Sequence, residues 1–276
     1  LRRIDCTIRD TQQQVRARHA ELKDRIQNLD PILRKESGFP FYNTSRFDFK
    51  RLLEDPENIV DNVNAYINGF SPNMVEVLEN FEFRSTLLRL AKNNRTFLVF
   101  QRFAEVNLHP NQLSNHGMGY VFEELIRKFN EENNESPGEH YTPREIVNLM
   151  TRLMVEPDAN RLGTSGLILQ VLDPCCGTGG MLSICKKSIE SINESAIVQI
   201  SGQEINPKTY AISKSDMMIS TDDSADSDRI QLGNTLSNDQ FSGETYHYML
   251  ANPPYGVDWS ASHADVTAEH ELGDQI

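Results

Sequence analysis

The spacing of apolar residues changes once along this chain. Up to about residue 155, apolar positions recur every three or four residues, as in helices that bury one face. After a polar stretch at 157–166, short apolar runs alternate with helical segments. With a polar break at 133–138 as the boundary, the pattern predicts an all-helical N-terminal domain over 1–135 and an α/β domain over 136–276.

The first domain is expected to contain a charged helix over 11–29, with an apolar seam formed by Val15, Leu22, Ile26 and Leu29. Further helices are expected from Asp55-Pro56 onward and over 74–81, 85–93 and 117–133.

A strong helix start stands at the head of the second domain. Thr142 fits the N-cap, Pro143 the first helical position and Glu145 the acid of a capping box. The apolar positions over 146–154 then predict a packed helix.

Strands are expected over 167–172, 196–202, 229–232 and 246–251, with helices over 179–188 and 206–219. Asn206 caps the second helix, with Pro207 first. Strands that alternate with helices form a parallel sheet covered on both faces. Ligands bind at the carboxyl ends of the strands in such a sheet. The segment 220–228 is expected to be a loop, and 257–276 shows no recognisable final element.

Composition narrows the class of protein. Twenty-seven basic and forty acidic residues give a net charge of -13, which argues against a stand-alone protein that grips a phosphate backbone by charge. The four cysteines lack Cys-x-x-Cys spacing and a nearby His, so no metal site is expected. Free thiols, no signal peptide and no apolar run of about eighteen residues indicate a cytoplasmic protein without a membrane partner.

A glycine-rich turn follows the first expected strand, in Asp173-Pro174-Cys175-Cys176-Gly177-Thr178-Gly179-Gly180. Small residues let the backbone approach a ligand at a helix N-terminus, and Glu204, after the next strand, is placed to bind ribose hydroxyls. The spacing differs from the dinucleotide and triphosphate patterns, and Asp-Pro suits a ligand with an amino-acid end. A tight turn without a ligand, with both acids in capping or surface roles, is equally open.

A second motif, Asn252-Pro253-Pro254-Tyr255, follows the last expected strand. The prolines fix the backbone, so the Asn252 oxygen and the Pro253 carbonyl can both face one amino group. Two acceptors would localise the lone pair of that amine for attack on the methyl of a sulfonium, while Tyr255 stacks on a base turned out of the duplex. The alternatives are a proline-stiffened turn or a proline-recognition motif; the two motifs together favour catalysis.

These motifs resemble the amino-group DNA methyltransferases, and closely the adenine-N6 modification subunit of Type I restriction-modification systems. The similarity runs from about residue 117 to the C-terminus, through 138–145, 173–180, 202–207, 233–236 and 252–259. The resemblance implies a Rossmann-like S-adenosylmethionine-dependent methyltransferase sheet after the helical domain. It also implies methyl transfer to N6 of adenine in a specific DNA sequence.

The same resemblance implies which residues bind S-adenosylmethionine: Tyr141, Thr142 and Pro143 near its methionine end, Asp173, Gly177, Thr178, Gly179 and Gly180 in the turn, Glu204 at the ribose and Asn234 near the adenine. The target-adenine site would comprise Asn252, Pro253, Pro254 and Tyr255. For Tyr141 a staple onto the following helix, and for Asn234 a turn residue, are the alternatives.

Family members work as two copies around a specificity subunit that reads DNA, with a motor and nuclease subunit for restriction. The resemblance therefore implies four partners: double-stranded DNA with its target adenine flipped out, a specificity subunit, a restriction subunit and a second copy of the modification subunit. Partners that hold the DNA would explain the acidic charge.

Two features depart from the family pattern. His247 stands before Tyr248 where the family often has an acid. The family also continues past Ile276, so we expect a chain truncated at its C-terminus, an incomplete sheet whose fourth strand is an exposed edge, and weak or absent activity.

Two other functions compete with DNA methylation. A protein glutamine N5-methyltransferase also uses Asn-Pro-Pro-Tyr, but the Thr142-Pro143 helix start and the Asp-Pro-Cys-Cys turn disfavour it. A non-catalytic assembly subunit would depend on the helical half alone.

Overall fold

The computed structural model describes residues 1–113, 142–220 and 224–273, with isolated positions between 117 and 128. The chain divides into two compact units. Leu1–Ile126 with Met218–Ser224 form the first, and Arg127–Met217 with Ala225–Ile276 form the second.

The first unit is helical because its apolar residues recur at helical spacing and meet in one interior. Its helices are α1 (Arg2–Ile8), α2 (Gln12–Leu22), α3 (Asp30–Ser37), α4 (Phe49–Leu52), α5 (Ile59–Asn68), α6 (Pro72–Asn80), α7 (Phe83–Lys92) and α8 (Thr96–Ala104). Leu52, Tyr66 and Met74 are fully buried in this interior.

A buried carboxylate ties three of these helices together. Oδ1 of Asp5, on α1, accepts hydrogen bonds from the Phe49 N–H at 3.1 Å and the Tyr66 hydroxyl at 3.0 Å. Its Oδ2 pairs with Arg2 at 2.7 Å, and only 2% of the side chain is exposed. Burial and the Asp5 charge raise the pKa of Tyr66 well above its usual value, so the phenol stays a donor.

The helix expected over 11–29 is shorter than its seam suggested. Val15 and Leu22 are buried, but α2 ends at Leu22 and Ile26 is 37% exposed. A new helix, α3, begins at Asp30 with Pro31 in its first turn, and Asn28 Oδ1 accepts the Asp30 N–H at 3.1 Å just before it. The helices expected over 74–81 and 85–93 correspond to α6 and α7. The helix expected from Asp55-Pro56 onward is α5, which begins at Ile59. Most of the helix expected over 117–133 lies outside the described residues.

The second unit contains the sheet. Its elements are α9 (Arg144–Val155), α10 (Ala159–Leu162), β1 (Ile168–Asp173), α11 (Gly180–Ile192), β2 (Ile197–Glu204), α12 (Pro207–Ser220), α13 (Ser224–Asp228), β3 (Ile230–Leu232), β4 (Tyr248–Met249) and α14 (His263–Gly273). Strands and helices alternate through its centre, as the change of period predicts.

The four strands form a parallel sheet in the order β3-β2-β1-β4. β1 pairs with β2 over six residues, from Ile168↔Ile197 to Asp173↔Gly202, and with β4 at Val171↔Tyr248 and Leu172↔Met249. Within the described part of the chain, β4 is an edge strand. The expected Rossmann-like α/β fold with a preceding helical region is confirmed.

Apolar side chains from β1, β2 and α11 form the core of this unit. Leu169, Val198 and Leu182 are among its buried members, and α9 packs against α11 through the fully buried Val147. Burial of these residues holds the sheet and its covering helices in fixed positions.

Three expectations for the second unit were wrong. Thr142 is not the N-cap of α9: Pro143 takes that position with ψ 139°, and its carbonyl accepts from Ile146 and Val147. The loop expected over 220–228 contains α13, since 224–228 coil into one helical turn. The C-terminal stretch contains α14, which a sequence with few apolar residues did not reveal.

Among the described residues, no helix combines the length and apolar character needed to cross a bilayer.

Asp5 provides a test of how the helical unit is held. Asp5→Ala should lower the free energy of unfolding by about 3–5 kcal/mol, because it leaves buried donors and an arginine without their acceptor. Urea denaturation followed by circular dichroism measures this. Glu21→Ala, which removes an exposed partner of Arg18, should shift the midpoint little; equal shifts for both variants would contradict the assignment.

Candidate active site

The candidate site lies at the carboxyl edge, defined here as the ends of β1, β2 and β4 at Asp173, Glu204 and Met249. Parallel pairing places these ends side by side. The Leu250 N–H donates to the Leu172 carbonyl at 2.9 Å and continues the pairing past β4. The glycine-rich turn and the Asn252 loop therefore leave the same edge of the sheet.

Asp173 ends β1 with its side chain fully buried. Oδ1 accepts the Cys175 N–H at 3.1 Å, whereas Oδ2 is buried and has no hydrogen-bond partner among the described residues. Burial raises its pKa to about 7, the Cys175 hydrogen bonds oppose the rise and the Glu204 charge adds to it. A buried acceptor left open in this way indicates a missing donor.

The glycine-rich turn depends on two left-handed residues, Gly177 with φ +54° and Gly179 with φ +79°. A Cβ on Gly179 would lie 2.5 Å from Ser213 Oγ and 2.9 Å from Met217 Cε, so the turn touches α12 directly. A Cβ on Gly177 or Gly180 would meet nothing within 4 Å. The turn thus packs on one side, while space remains at Gly177 and at Gly180, where α11 begins.

Glu204 joins the turn to β2. Its Oε2 accepts the Gly177 N–H at 3.0 Å, and its Oε1 accepts the Asn206 N–H at 2.7 Å. Asn206 in turn caps α12, as predicted, by accepting the Lys208 N–H at 2.9 Å. The carboxylate is held beside the turn, and its remaining lone pairs are available to hydroxyl donors.

Asn234 and Thr235 fold the loop after β3 back toward the turn. Asn234 accepts the Leu236 N–H through Oδ1 and donates through Nδ2 to Ser262 Oγ, both at 3.0 Å. Thr235 donates its hydroxyl hydrogen to the Pro174 carbonyl. The Asn234 side chain is thus occupied within the protein, as the turn-residue alternative requires, and its contact with an adenine stays a prediction.

Asn252 adjoins the glycine-rich turn and the start of α9. Burial and the Asp173 charge raise the pKa of the Cys175 thiol to about 12, and the Asn252 backbone N–H opposes that rise. Asn252 Nδ2 donates to Thr142 Oγ1 at 2.9 Å. Oδ1 accepts no hydrogen bond from a described residue, so the amide presents a free acceptor.

Pro253, Pro254 and Tyr255 continue from Asn252 on the surface, and the Tyr255 side chain is 89% exposed. Such a ring is accessible for stacking on a base. Trp259, which the sequence analysis did not single out, is half-exposed and stacks on His263 with centroids 5.4 Å apart.

His247 has a structural role where the family often has an acid. The ring Nδ1 of His247 accepts the Gln170 backbone N–H, and the backbone N–H of His247 donates to the Gln170 carbonyl, both at 3.0 Å. These bonds extend the β1–β4 pairing by one residue, so the departure leaves the sheet intact.

The structure brings most predicted site residues to the carboxyl edge. Hydrogen bonds link the turn with Glu204 and with Thr235, the neighbour of Asn234. Asn252 follows the adjacent strand β4, and Thr142, which directly precedes Pro143, joins the site by its hydrogen bond with Asn252. Tyr141 lies outside the described residues. Thr178, between the two left-handed glycines, is half-buried. Sequence reasoning missed Ser213 and Ser262, since neither carries a local signal.

The geometry defines the class of protein as one with a Rossmann-like sheet whose carboxyl edge carries two motif loops. Residues 113–273 match the family model of the N-6 DNA Methylase, and residues 1–103 match the HsdM N-terminal domain. The first match covers more than half of the chain. The chain therefore belongs to the N-6 DNA methylase family.

Curated relatives point the same way. The chain is 27% identical over 178 residues to the Type I restriction enzyme MjaIX methylase subunit of Methanocaldococcus jannaschii, covering 63% of this chain and 29% of that protein. It is 27% identical over 150 residues to the MpnII methylase subunit of Mycoplasma pneumoniae, covering 51% and 26%.

A solved structure has a similar fold. The type I restriction-modification methyltransferase subunit from Streptococcus thermophilus aligns with a TM-score of 0.61 and 21% identity, over 90% of this chain and 52% of that one. The chain thus spans under a third of the two curated relatives and about half of the solved subunit.

The residues at the carboxyl edge fit S-adenosylmethionine, the cofactor that the family indicates. The open acceptor on Asp173 suits an ammonium donor, the free space at Gly177 admits a ligand beside the backbone, and Glu204 suits ribose hydroxyls. No metal-binding group of three His, Cys, Asp or Glu side chains occurs in the described ranges.

Gly179 and Gly180 form a matched pair for testing the turn. Gly179→Ala should lower the free energy of unfolding by at least about 1–2 kcal/mol, the cost of a left-handed non-glycine residue, with a further cost from the contact with Ser213. Gly180→Ala should be neutral because its backbone is unstrained and its Cβ is free. Thermal unfolding of both variants measures this, and equal melting temperatures would overturn the role of Gly179.

The raised pKa of Asp173 should make both cofactor affinity and folding stability depend on pH. An ammonium group that binds the ionised form of Asp173 should gain affinity as pH rises toward about 7 and level off above it. The pKa is raised above its ordinary 3.8, so this carboxyl's contribution to folding stability is present at low pH and is lost as pH rises through about 7. Titration calorimetry with S-adenosylmethionine measures the affinity. Asp173→Asn should bind more weakly with a flat profile; a wild-type affinity that does not change with pH contradicts the assignment.

Proposed function

We propose that this chain transfers a methyl group from S-adenosylmethionine to the N6 amino group of adenine in a specific DNA sequence, as the modification subunit of a Type I restriction-modification complex. The observation that carries the proposal is that Asp173, with Oδ2 open, ends β1, while Asn252, whose Oδ1 has no partner among the described residues, follows the paired strand β4 at the same edge of the sheet. Membership of the N-6 DNA methylase family supports the choice of reaction.

Each side of the site has its own task. Asp173 would accept a hydrogen bond from the ammonium group of the cofactor, and Glu204 would accept from its ribose hydroxyls. Thr142, Pro143 and Tyr141 would lie near the methionine end, and Asn234 near the adenine. Gly177, Thr178, Gly179 and Gly180 would line the turn against which the cofactor rests.

The reaction needs an amine made nucleophilic and held in line. Asn252 Oδ1 and the Pro253 carbonyl accept the two hydrogens of the amine, which concentrates its lone pair on nitrogen, while Pro254 stiffens the loop and Tyr255 stacks on the flipped base. When bound, S-adenosylmethionine supplies the methyl on a sulfonium: the C–N bond forms as the C–S bond breaks, and its electron pair stays on sulfur. The exposed edge lets the methylated amine release its extra proton to water.

The charge of the chain supports partners that hold the DNA. With a net charge of -13, tight binding to phosphates needs basic surfaces supplied from outside the chain. We therefore place double-stranded DNA, a specificity subunit, a restriction subunit and a second copy of this chain as its partners. The cytoplasm is the proposed location because a bacterial or archaeal chromosome lies there.

We assign assembly to the helical domain over 1–135 and methyl transfer to the α/β domain over 136–276. The match of residues 1–103 to the HsdM N-terminal domain supports the first assignment, and the position of both motif loops supports the second.

The proposal predicts N6-methyladenine at a defined DNA site. The natural full-length polypeptide that contains this chain is expressed with its specificity partner in a host without DNA methylation, and the genome is sequenced for modified bases. Wild type should modify one motif. Asn252→Ala should reduce transfer by at least about a hundredfold, because it removes an acceptor from the reacting amine.

Calorimetry with S-adenosylmethionine provides the control for this experiment, since Asn252→Ala should bind the cofactor as wild type does. Labelling of a glutamine peptide instead of adenine would indicate the protein methyltransferase. Cofactor binding without any methyl transfer by the complete complex would contradict the proposed function.

A further inference from the structure

One contact at the carboxyl edge joins the Asn252 side chain to the residue before α9. The Thr142 hydroxyl accepts a hydrogen bond from Asn252 Nδ2 at 2.9 Å, across a sequence separation of 110 residues. The resemblance assigned Thr142 to the cofactor and the local sequence assigned it to a helix cap. In the structure, its hydroxyl instead contacts the side chain that would bind the target amine.

The orientation of the amide at this contact decides which of its two polar atoms is open to a substrate. An asparagine side chain ends in a donor, Nδ2, and an acceptor, Oδ1, and rotation about its last bond exchanges them. A catalytic Asn252 must present Oδ1 to an amino group, since Nδ2 would oppose the amine's own hydrogens. Binding of Nδ2 by the Thr142 hydroxyl leaves Oδ1 facing away, with no described partner.

Both ends of this contact are anchored. Thr142 directly precedes Pro143, whose carbonyl accepts the N–H groups of Ile146 at 3.0 Å and Val147 at 3.1 Å, and Val147 is fully buried in the core. Asn252 follows β4, whose pairing with β1 continues through the Leu250 N–H and the Leu172 carbonyl at 2.9 Å. The contact therefore joins the start of α9 to the loop that leaves the β1–β4 pair.

We propose that Thr142 is a positioning residue that holds the Asn252 side chain in place for methyl transfer. The inference rests on the proposed function of Asn252. The hydroxyl accepts from Nδ2 and leaves Oδ1 open to the target amine, so in the methyl-transfer step Thr142 acts through Asn252.

Thr142→Val tests this because valine keeps the shape of threonine but cannot accept a hydrogen bond. In the full-length complex, single-turnover methyl transfer at saturating cofactor and DNA should slow by about ten- to hundredfold, the cost of a misplaced catalytic group. Because the cofactor is saturating, this loss is separate from any change in the calorimetric Kd for S-adenosylmethionine that follows from the place of Thr142 near its methionine end. Thr142→Ser, which restores the hydroxyl, should recover most of the rate.

Two controls separate positioning from general damage. Thr151→Val removes a hydroxyl from the buried face of the same helix, away from Asn252, and should transfer methyl groups at the wild-type rate. With 2-aminopurine in place of the target adenine, Thr142→Val should give the wild-type fluorescence rise, because base flipping does not need the amide orientation.

The outcomes are distinct. A Thr142→Val enzyme at the wild-type rate overturns the positioning role, as does a loss of cofactor affinity that accounts for the whole loss of rate, or a Thr142→Ser enzyme as slow as the valine variant. An inactive wild-type complex contradicts the proposed function itself, before any variant is compared.

Discussion

The pairing of β4 with β1 is the constraint on which the rest of the site depends. Only Val171↔Tyr248 and Leu172↔Met249 belong to the paired strands, and the Gln170–His247 and Leu172–Leu250 hydrogen bonds extend that pairing. Because the strands are parallel, the chain leaves both at the same edge, and the glycine-rich turn lies beside the Asn252 loop. The short β1–β4 pairing thus brings two motifs that are far apart in the sequence to one site.

Much of the fold could be predicted because its determinants are local. Short apolar runs in the sequence predicted the strands of the sheet. The cap at Asn206 was predictable because its side chain accepts a hydrogen bond from a residue two positions along the chain, the Lys208 N–H. Predictions were wrong where a competing interaction won. The apolar seam continued past Leu22, but α2 ended there and a new helix began at Asp30 with Pro31 in its first turn. α14 formed from residues with little apolar periodicity.

The site could be predicted in its parts but not in its contacts. Residue types and spacing identified Asp173, Glu204 and Asn252, since each stands at the end of a strand where ligands bind. The bond between Thr142 and Asn252 spans 110 residues, and no local pattern encodes it. Nor could sequence show that Asp173 is fully buried with one oxygen open, a costly arrangement that a ligand donor would offset.

The central claim is that one ligand site joins the Asp173 turn to the Asn252 loop. A crystal structure of the chain with a non-reactive analogue of S-adenosylmethionine, carrying an amine in place of the sulfonium methyl, tests it most directly. We predict the amino-acid ammonium within hydrogen-bond distance of Asp173 Oδ2 and the added amine directed to the Asn252 side. Density for the analogue at any other edge of the sheet, or an analogue whose amine points away from Asn252, would contradict it.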